Sequence, residues 1–241
     1  MIDFLQWGAV LGLQPRTARV PELKVGSLRL VAITSEMLTA EHSGDAAGLG
    51  SLLRAKLTRE WPPADWEPHV YRIIQKQYDE WPASFGWHRY VVLDGGLGRA
   101  RTLVGAIGGF PRAQGDVEIG YSTLPGFQRR GYATASAKTL VEWLLAVEGV
   151  QSVSAQTYPR LPESIKVMER CGMSYVGEGD DPGTVRYRRM RSLVWAKILL
   201  HEGWGSGGHG FDAGGEGGIG ERFESAGVEA GEGFALGFGG G

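Results

Sequence analysis

A glycine-containing turn joins a predicted strand to a predicted helix in the middle of this chain. Residues 117–124 have the pattern of a strand, and Pro125-Gly126 then leads into Gln128-Arg129-Arg130-Gly131-Tyr132-Ala133. Apolar residues follow at helical spacing, namely Ala133, Ala137, Leu140, Val141, Leu144 and Leu145. Such a turn aims free backbone N–H groups at one place, with the positive end of the helix dipole behind them. It predicts an anion site suited to a pyrophosphate, which Gly131 and Ala133 would allow to approach the backbone.

The segment resembles the acyl-coenzyme A loop of the GCN5-related N-acetyltransferases (GNAT), whose pattern is Gln/Arg-x-x-Gly-x-Gly/Ala. Glu118-Ile119-Gly120-Tyr121 lies upstream of it, as in the branch that resembles ribosomal-protein N-terminal (RimJ/RimL-type) acetyltransferases. Residues 164–173 are similar to the second conserved helix of the family and its exit. The resemblance spans residues 28–191. It implies an α/β (α+β) fold with a mixed, mainly antiparallel twisted sheet of about seven strands flanked by about four helices.

Sequence periodicity predicts elements in the same order. The predicted strands are residues 28–33, 87–93, 103–110, 117–124, 152–157, 173–176 and 185–190. The predicted helices start at Thr34-Ser35, cover 46–57 and 66–81, start at Gly131, and cover 162–171. The chain thus divides into an N-terminal extension (1–27), a GNAT domain (28–191) and a Gly-rich acidic tail (192–241). We expect the tail to be disordered, because 17 of the 39 glycines lie after residue 202 and such a composition cannot repay the entropy of ordering.

Composition and charge exclude several classes of protein. The net charge is −2, with −5 in the tail and +3 in the remainder, and no basic face of the kind that binds nucleic acid is apparent. No apolar run is long enough for a membrane span, and no secretory signal is recognisable. The single cysteine, Cys171, excludes an internal disulfide and fits a reducing compartment. We expect a cytoplasmic protein, a monomer or homodimer, with no nucleic-acid or membrane partner. The five histidines lack metal-ligand spacing, so no metal is predicted.

Acetyl transfer to an amine requires a base, a stabilised oxyanion and a hydrogen bond or proton for the leaving thiolate. The resemblance makes Glu118 the candidate base, acting directly or through water; the alternative is a strand glutamate paired across the sheet. For the oxyanion and the pantetheine amides, the resemblance implies the backbone of Tyr121, Ser122 and Thr123, on a strand that splays from its neighbour at a bulge. For the pyrophosphate it implies Gln128, Arg129, Arg130, Gly131, Tyr132, Ala133 and Thr134.

The leaving-group donor is where the sequence departs from part of the family. Some members have an asparagine and a tyrosine at the positions of Leu161 and Met168, and neither residue here can donate a proton. Ser164 matches a serine of the family and is the candidate donor, unless it only bonds its own helix backbone. Tyr158 or solvent are further alternatives.

Four tryptophans, Trp61, Trp66, Trp81 and Trp87, lie around the early helices that form the acceptor wall in the family. They either select an apolar acceptor or pack in the core, and core packing is the more common role.

The sequence therefore predicts an acetyl-coenzyme A-dependent N-acetyltransferase. Its acceptor is a primary amine on a small molecule or on a peptide or protein N-terminus, and the amine attacks directly in a ternary complex. An N-terminus is slightly favoured by the family branch. The alternatives are a non-catalytic acyl-coenzyme A sensor or partner-binding module, and an enzyme for a longer acyl chain.

Overall fold

A computed structural model describes residues 20–63, 70–96 and 99–192. They contain one mixed sheet of nine strands. The strands are β1 (Leu23–Val25), β2 (Leu28–Ala32), β3 (Ala55–Lys56), β4 (Arg89–Leu93), β5 (Arg101–Pro111), β6 (Asp116–Thr123), β7 (Ser152–Thr157), β8 (Ser174–Glu178) and β9 (Val185–Met190). Their order is β1-β2-β4-β5-β6-β7-β9-β8, and β3 pairs with the start of β5 off this path. All pairs are antiparallel except β3 with β5 and β6 with β7.

The described residues also form five α-helices. These are α1 (Ser35–His42), α2 (Ala46–Leu53), α3 (Val70–Glu80), α4 (Tyr132–Ala146) and α5 (Pro162–Arg170). The predicted fold class is confirmed, and Thr34 caps α1 as expected. The helix predicted over 46–57 ends at Leu53, because Arg54 adopts a left-handed conformation with φ of 51° and leads into β3. Strands β1 and β3 were not predicted, since two or three residues cannot show an alternating pattern.

The two faces of the sheet carry separate cores. The first face packs against α4 and α5 through the larger apolar cluster, which includes Val104, Ile119, Leu140, Val153 and Met168. The second face packs against α1, α2 and α3 through a cluster that includes Ile33, Leu49, Ile74, Tyr90 and Val92. Strands β2 and β4 alternate between the two clusters, as period-two side-chain geometry requires.

The second face changes character beyond β5. On β6 and β7 the residues of this face are polar and buried, namely Asp116, Glu118, Ser152, Ser154 and Gln156. The intervening residues of the same strands, such as Val117 and Ala155, belong to the apolar core of the first face. The sheet thus carries a polar floor beside the helices that cover its other half. No helix of the described part combines the length and the apolar character that a bilayer crossing requires.

Candidate active site

Strand β6 pairs with its two neighbours over different lengths. It pairs with β5 from Val117 to Thr123 without interruption. It pairs with β7 only at Asp116, Val117 and Glu118, and the last pair is Glu118 with Ser154. The strands then continue for several residues with no further pair in the described part of the chain, so the predicted splay is present. The predicted bulge is not on β6. Among the described strands, register shifts lie between β4 and β5, at Val91/Val92, and between β8 and β9, at Tyr175/Gly177.

The direction of the backbone groups along β6 follows from two hydrogen bonds to the β5 side. Arg112 N–H donates to Asp116 C=O at 2.8 Å, and Leu124 N–H donates to Val104 C=O at 2.9 Å. Because peptide groups alternate along a strand, those of Glu118, Gly120 and Ser122 also point at β5. The peptide groups of Tyr121 and Thr123 therefore point at the cleft between β6 and β7. Those of Ser122 point away from the cleft, contrary to the expectation for that residue.

The turn that follows β6 leaves the start of α4 uncapped. Arg129 and Gly131 both adopt left-handed conformations, with φ of 61° and 78°. Gly131 occupies the N-cap position and provides no side-chain hydrogen bond, and the first turn of α4 contains no acidic residue. The first helical bond runs from Ala135 N–H to Gly131 C=O at 2.9 Å. A Cβ placed on Gly131 would meet no atom within 4 Å, so the described residues leave open space beside the N-cap. This is the geometry of an anion site.

Two side chains of the turn between β6 and α4 hydrogen-bond its own backbone, and a third is exposed. Gln128 Nε2 donates to Thr123 C=O at 3.1 Å. Arg130 Nη2 donates to Gly126 C=O at 3.0 Å and its guanidinium lies over the Phe127 ring at 5.6 Å. Arg129 is exposed and forms no salt bridge with any residue that the structure describes. Gln128 and Arg130 therefore hold the shape of the turn, and Arg129 is the side chain available to a phosphate.

Glu118 lies at the point where β6 and β7 part, on the second face of the sheet. It is 5% exposed. Its Oε1 accepts from Arg112 Nη2 and Gln156 Nε2, both at 3.2 Å, and its Oε2 accepts from Arg186 Nη2 at 3.1 Å. Glu118 is thus paired across the sheet, as the alternative description expected, and it also lies where the cleft begins; its role as the base stays a prediction. The three partners were not predicted. Gln156 could have been found from the alternation of polar and apolar residues on β7.

Ser164 lies on the opposite side of the cleft from Glu118. The phenol oxygen of Tyr121 is 3.0 Å from Ser164 Oγ and 3.1 Å from its backbone oxygen. Burial raises the pKa of Tyr121. Met168, one turn further along α5, is buried in the first core, and the Tyr158 ring lies under the Arg160 guanidinium at 4.2 Å. Ser164 is therefore next to the cleft, and its hydroxyl is engaged by Tyr121.

The tryptophans do not form one acceptor wall. Trp87 is fully buried in the core of the first face, and Trp81 packs on it with ring centroids 4.7 Å apart. Trp66 lies outside the described residues. Trp61 does lie on the second face, where its Nε1 donates to Glu41 at 2.7 Å. Burial raises the pKa of Glu41 to about 7, although hydrogen bonds from Tyr90 and Trp61 act in the opposite direction.

Comparison with known proteins identifies the class to which this fold and cleft belong. A model of the acetyltransferase (GNAT) domain matches residues 37–174, which is more than half of the chain. The chain therefore belongs to the GNAT family and is an acetyl-coenzyme A-dependent acyltransferase.

Individual relatives agree with this assignment. The chain is 26% identical over 155 residues to an uncharacterised N-acetyltransferase of Bacillus subtilis, YjdG, covering 62% of this chain and 88% of that protein. Its fold is similar to that of ribosomal-protein-S5-alanine acetyltransferase from Vibrio fischeri, with a TM-score of 0.50, 15% identity, and coverage of 71% and 97%. A second solved structure, a probable acetyltransferase, has a TM-score of 0.50, 19% identity and the same coverage. At these identities the two solved structures show the fold alone.

Proposed function

We propose that this protein transfers the acetyl group of acetyl-coenzyme A to a primary amine, which attacks the thioester directly while both substrates are bound. The observation that carries the proposal is the cleft between β6 and β7. It opens at a buried carboxylate, Glu118, and leads to the uncapped start of α4.

The coenzyme supplies an activated acyl group, and the residues of the cleft match its parts. The peptide groups of Tyr121 and Thr123 face the cleft, and a pantetheine arm needs such donors and acceptors. The main-chain N–H groups from Arg129 to Thr134 would receive the pyrophosphate, together with the guanidinium of Arg129. The N–H of Tyr121 is the donor that we assign to the carbonyl oxygen as it becomes an oxyanion.

Glu118 is the group to which we assign the proton of the attacking amine. A carboxylate offers about four acceptor positions, and three donors contact Glu118. One position therefore remains for the amine, or for a water that carries its proton. The guanidinium groups of Arg112 and Arg186 fix the carboxylate, so it does not need to reorganise during the reaction.

A polar acceptor fits the floor on which Glu118 lies. Asp116, Gln156 and Arg186 surround it with charge and hydrogen-bonding groups, so a charged or polar amine is favoured over an apolar one. A peptide or protein N-terminus is the slightly preferred acceptor, in line with the resemblance of the Glu118–Tyr121 segment to the ribosomal-protein branch. A cytoplasmic location and a monomeric or homodimeric state complete the proposal.

A second candidate, a non-catalytic acyl-coenzyme A sensor, is favoured by one observation. Both oxygens of Glu118 are held by arginines, and Met168 and Leu161 remove two donors that some relatives have. In this case the cleft would bind the coenzyme without turnover.

The test combines binding with turnover. Calorimetric titration with acetyl-coenzyme A and with desulfo-coenzyme A should give micromolar binding, and a panel of amines and N-terminal peptides should then release free thiol. Glu118→Gln should lower kcat about 100-fold, the usual weight of a general base, and leave coenzyme affinity within about twofold. Glu142→Gln, on the exposed face of α4, is the matched control and should change neither. Binding without thiol release from any acceptor would favour the sensor, and absence of binding would contradict both candidates.

A further inference from the structure

The hydroxyl of Thr157, the last residue of β7, is buried and has no hydrogen-bond partner among the described residues. Thr157 is 4% exposed. Native proteins rarely leave a buried hydroxyl unsatisfied, because the group then bears the full cost of losing water. The other hydroxyls on β7, those of Ser152 and Ser154, both donate to Asp116. Other buried groups, such as the Trp87 indole N–H, also lack a partner among the described residues, so the position of the Thr157 hydroxyl decides whether a ligand could satisfy it.

The register of the strands places Thr157 in the cleft. The last pair of β6 and β7 is Glu118 with Ser154, and three residues further along each strand stand Tyr121 and Thr157. Thr157 is therefore across the cleft from Tyr121. Its backbone is fixed on the other side, where it pairs with Val185 of β9.

Side-chain alternation gives the face on which this hydroxyl lies. Ser154 and Gln156 point to the polar floor of the second face, while Val153 and Ala155 belong to the core of the first face. Thr157 follows Ala155 by two residues and so lies on the first face. This is the side on which the Tyr121 hydroxyl meets Ser164. Thr157 thus completes a group of three hydroxyls around one side of the cleft.

We infer that the Thr157 hydroxyl donates a hydrogen bond to the sulfur of coenzyme A. This rests on the proposed function, in which the Tyr121 N–H holds the carbonyl oxygen of the thioester. The sulfur is bonded to that carbonyl carbon, so it lies between Tyr121 and the strand that carries Thr157. The Ser164 hydroxyl is already engaged by Tyr121, whereas no residue in the described part of the chain competes for the Thr157 hydroxyl.

The hydrogen bond acts on the leaving group. The amine nitrogen bonds to the carbonyl carbon, the C–S bond breaks, and its electron pair passes to sulfur. The O–H of Thr157 stabilises the resulting thiolate without giving up its proton. The proton that finally neutralises the thiolate is the one lost by the amine, returned through Glu118 or solvent. Hydrogen bonds to a charged acceptor are stronger than those to a neutral one, so the contact favours the departing thiolate over the bound thioester.

The experiment compares three variants of the full chain. Thr157→Val removes the hydroxyl and keeps the shape, and Thr157→Ser keeps the hydroxyl. Thr139→Val is the matched control, because the Thr139 hydroxyl bonds the backbone of its own helix at Ala135. Each protein is titrated calorimetrically with coenzyme A and with desulfo-coenzyme A, and its unliganded melting temperature is recorded.

We expect Thr157→Val to bind coenzyme A about fivefold more weakly than the wild type and desulfo-coenzyme A equally well. With the best acceptor of the amine panel, its kcat should fall more than its KM rises. Its melting temperature should match or exceed that of the wild type, since an unsatisfied hydroxyl has been removed. Thr157→Ser and Thr139→Val should retain coenzyme A affinity.

Equal weakening toward both ligands would overturn the assignment to sulfur and place the hydroxyl on another part of the coenzyme. Unchanged affinity with unchanged kcat would remove the contact altogether. A lower melting temperature with no ligand selectivity would show a structural role. If the wild-type protein binds neither ligand, the proposed function fails together with this inference. If the wild type binds coenzyme A and Thr157→Val binds it equally well with the same kcat, only the inference fails.

Discussion

The two edges of β6 form an instructive comparison. Along one edge, β5 pairs continuously from Val117 to Thr123, and the ladder is extended at both ends by backbone bonds from Arg112 and Leu124. Along the other edge, β7 pairs at three residues and then leaves. A single strand thus contributes one edge to the fold and the other to the cleft. The cleft needs no insertion or extra domain, because it arises where backbone pairing stops early.

The pairing of β6 with β5 depends on a close approach of the two backbones. The shorter pairing of β6 with β7 is supported by side-chain hydrogen bonds. On the β5 edge, Gly105 lets the strand lie against the carbonyl of Ser122. On the β7 edge, Asp116 accepts hydrogen bonds from Ser152 and Ser154 and so joins the two strands below the point where they part. Substitutions at these positions should act on the two edges separately.

The largest effect is expected at the paired edge, from Gly105→Ala. A Cβ at this position would lie 2.2 Å from the backbone oxygen of Ser122, and neither strand can move aside without breaking the ladder. We expect a loss of about 3 kcal/mol in the free energy of unfolding, at the upper end for an overpacked core, measured by urea denaturation. Gly126→Ala is the control, because its Cβ would meet only the flexible Glu60 side chain at 3.2 Å. A loss below about 1 kcal/mol for Gly105→Ala would mean that β5 and β6 can shift apart at this position at little cost in free energy.

The next effect is expected where β6 and β7 are still joined. Asp116→Ala would leave the hydroxyls of Ser152 and Ser154 without their acceptor, in a buried position. It would also remove the carboxylate 3.6 Å from Arg188. We expect a loss of about 2 kcal/mol in unfolding free energy and weaker coenzyme binding, because the cleft would open further. Asp79→Ala, which removes an exposed carboxylate bonded to Gln75, should cost far less. Reduced stability with unchanged coenzyme affinity would show that the cleft does not depend on this junction.

Local patterns predicted much of the fold and part of the cleft. The alternation in β7 and β9 located both strands to the residue, since apolar and polar side chains alternate where one face is core. Gly131 located the turn before α4, because a left-handed residue before a helix is a local feature; that this turn binds phosphate stays a prediction. The splay was expected from the family resemblance, and the pairing confirms it.

Features that depend on distant residues were not predictable in the same way. Arg186 reaches Glu118 from 68 positions along the chain, and nothing in either local sequence marks the pair. The bulge expected on β6 is not there, and the described register shifts lie between β4 and β5 and between β8 and β9. A register depends on how two partner strands and their turns fit together, which one strand's sequence does not show. Trp87 packs in the core of the first face, which is the more common of the two roles that the sequence left open for the tryptophans.

The smallest effect on stability is expected in the turn between β6 and α4, from Arg129→Glu. The Arg129 side chain is exposed, and among the described residues it forms no salt bridge, so the substitution should leave stability unchanged within about 0.5 kcal/mol. Charge reversal beside the pyrophosphate should weaken coenzyme A binding about tenfold, which corresponds to about 1.4 kcal/mol. The wild-type affinity should fall as salt is raised, and that of the variant should fall less, because screening acts on the lost attraction.

Calorimetric titration at two salt concentrations checks both statements about Arg129→Glu. Arg72→Glu, the same charge change at an exposed position on α3, is the matched control and should bind coenzyme A as the wild type does. If Arg129→Glu binds with wild-type affinity and wild-type salt dependence, the phosphates do not lie at the start of α4. The open edge of β6 would then lead to a different part of the surface. If it binds more weakly while Arg72→Glu does not, the cleft and the uncapped helix form one continuous coenzyme site.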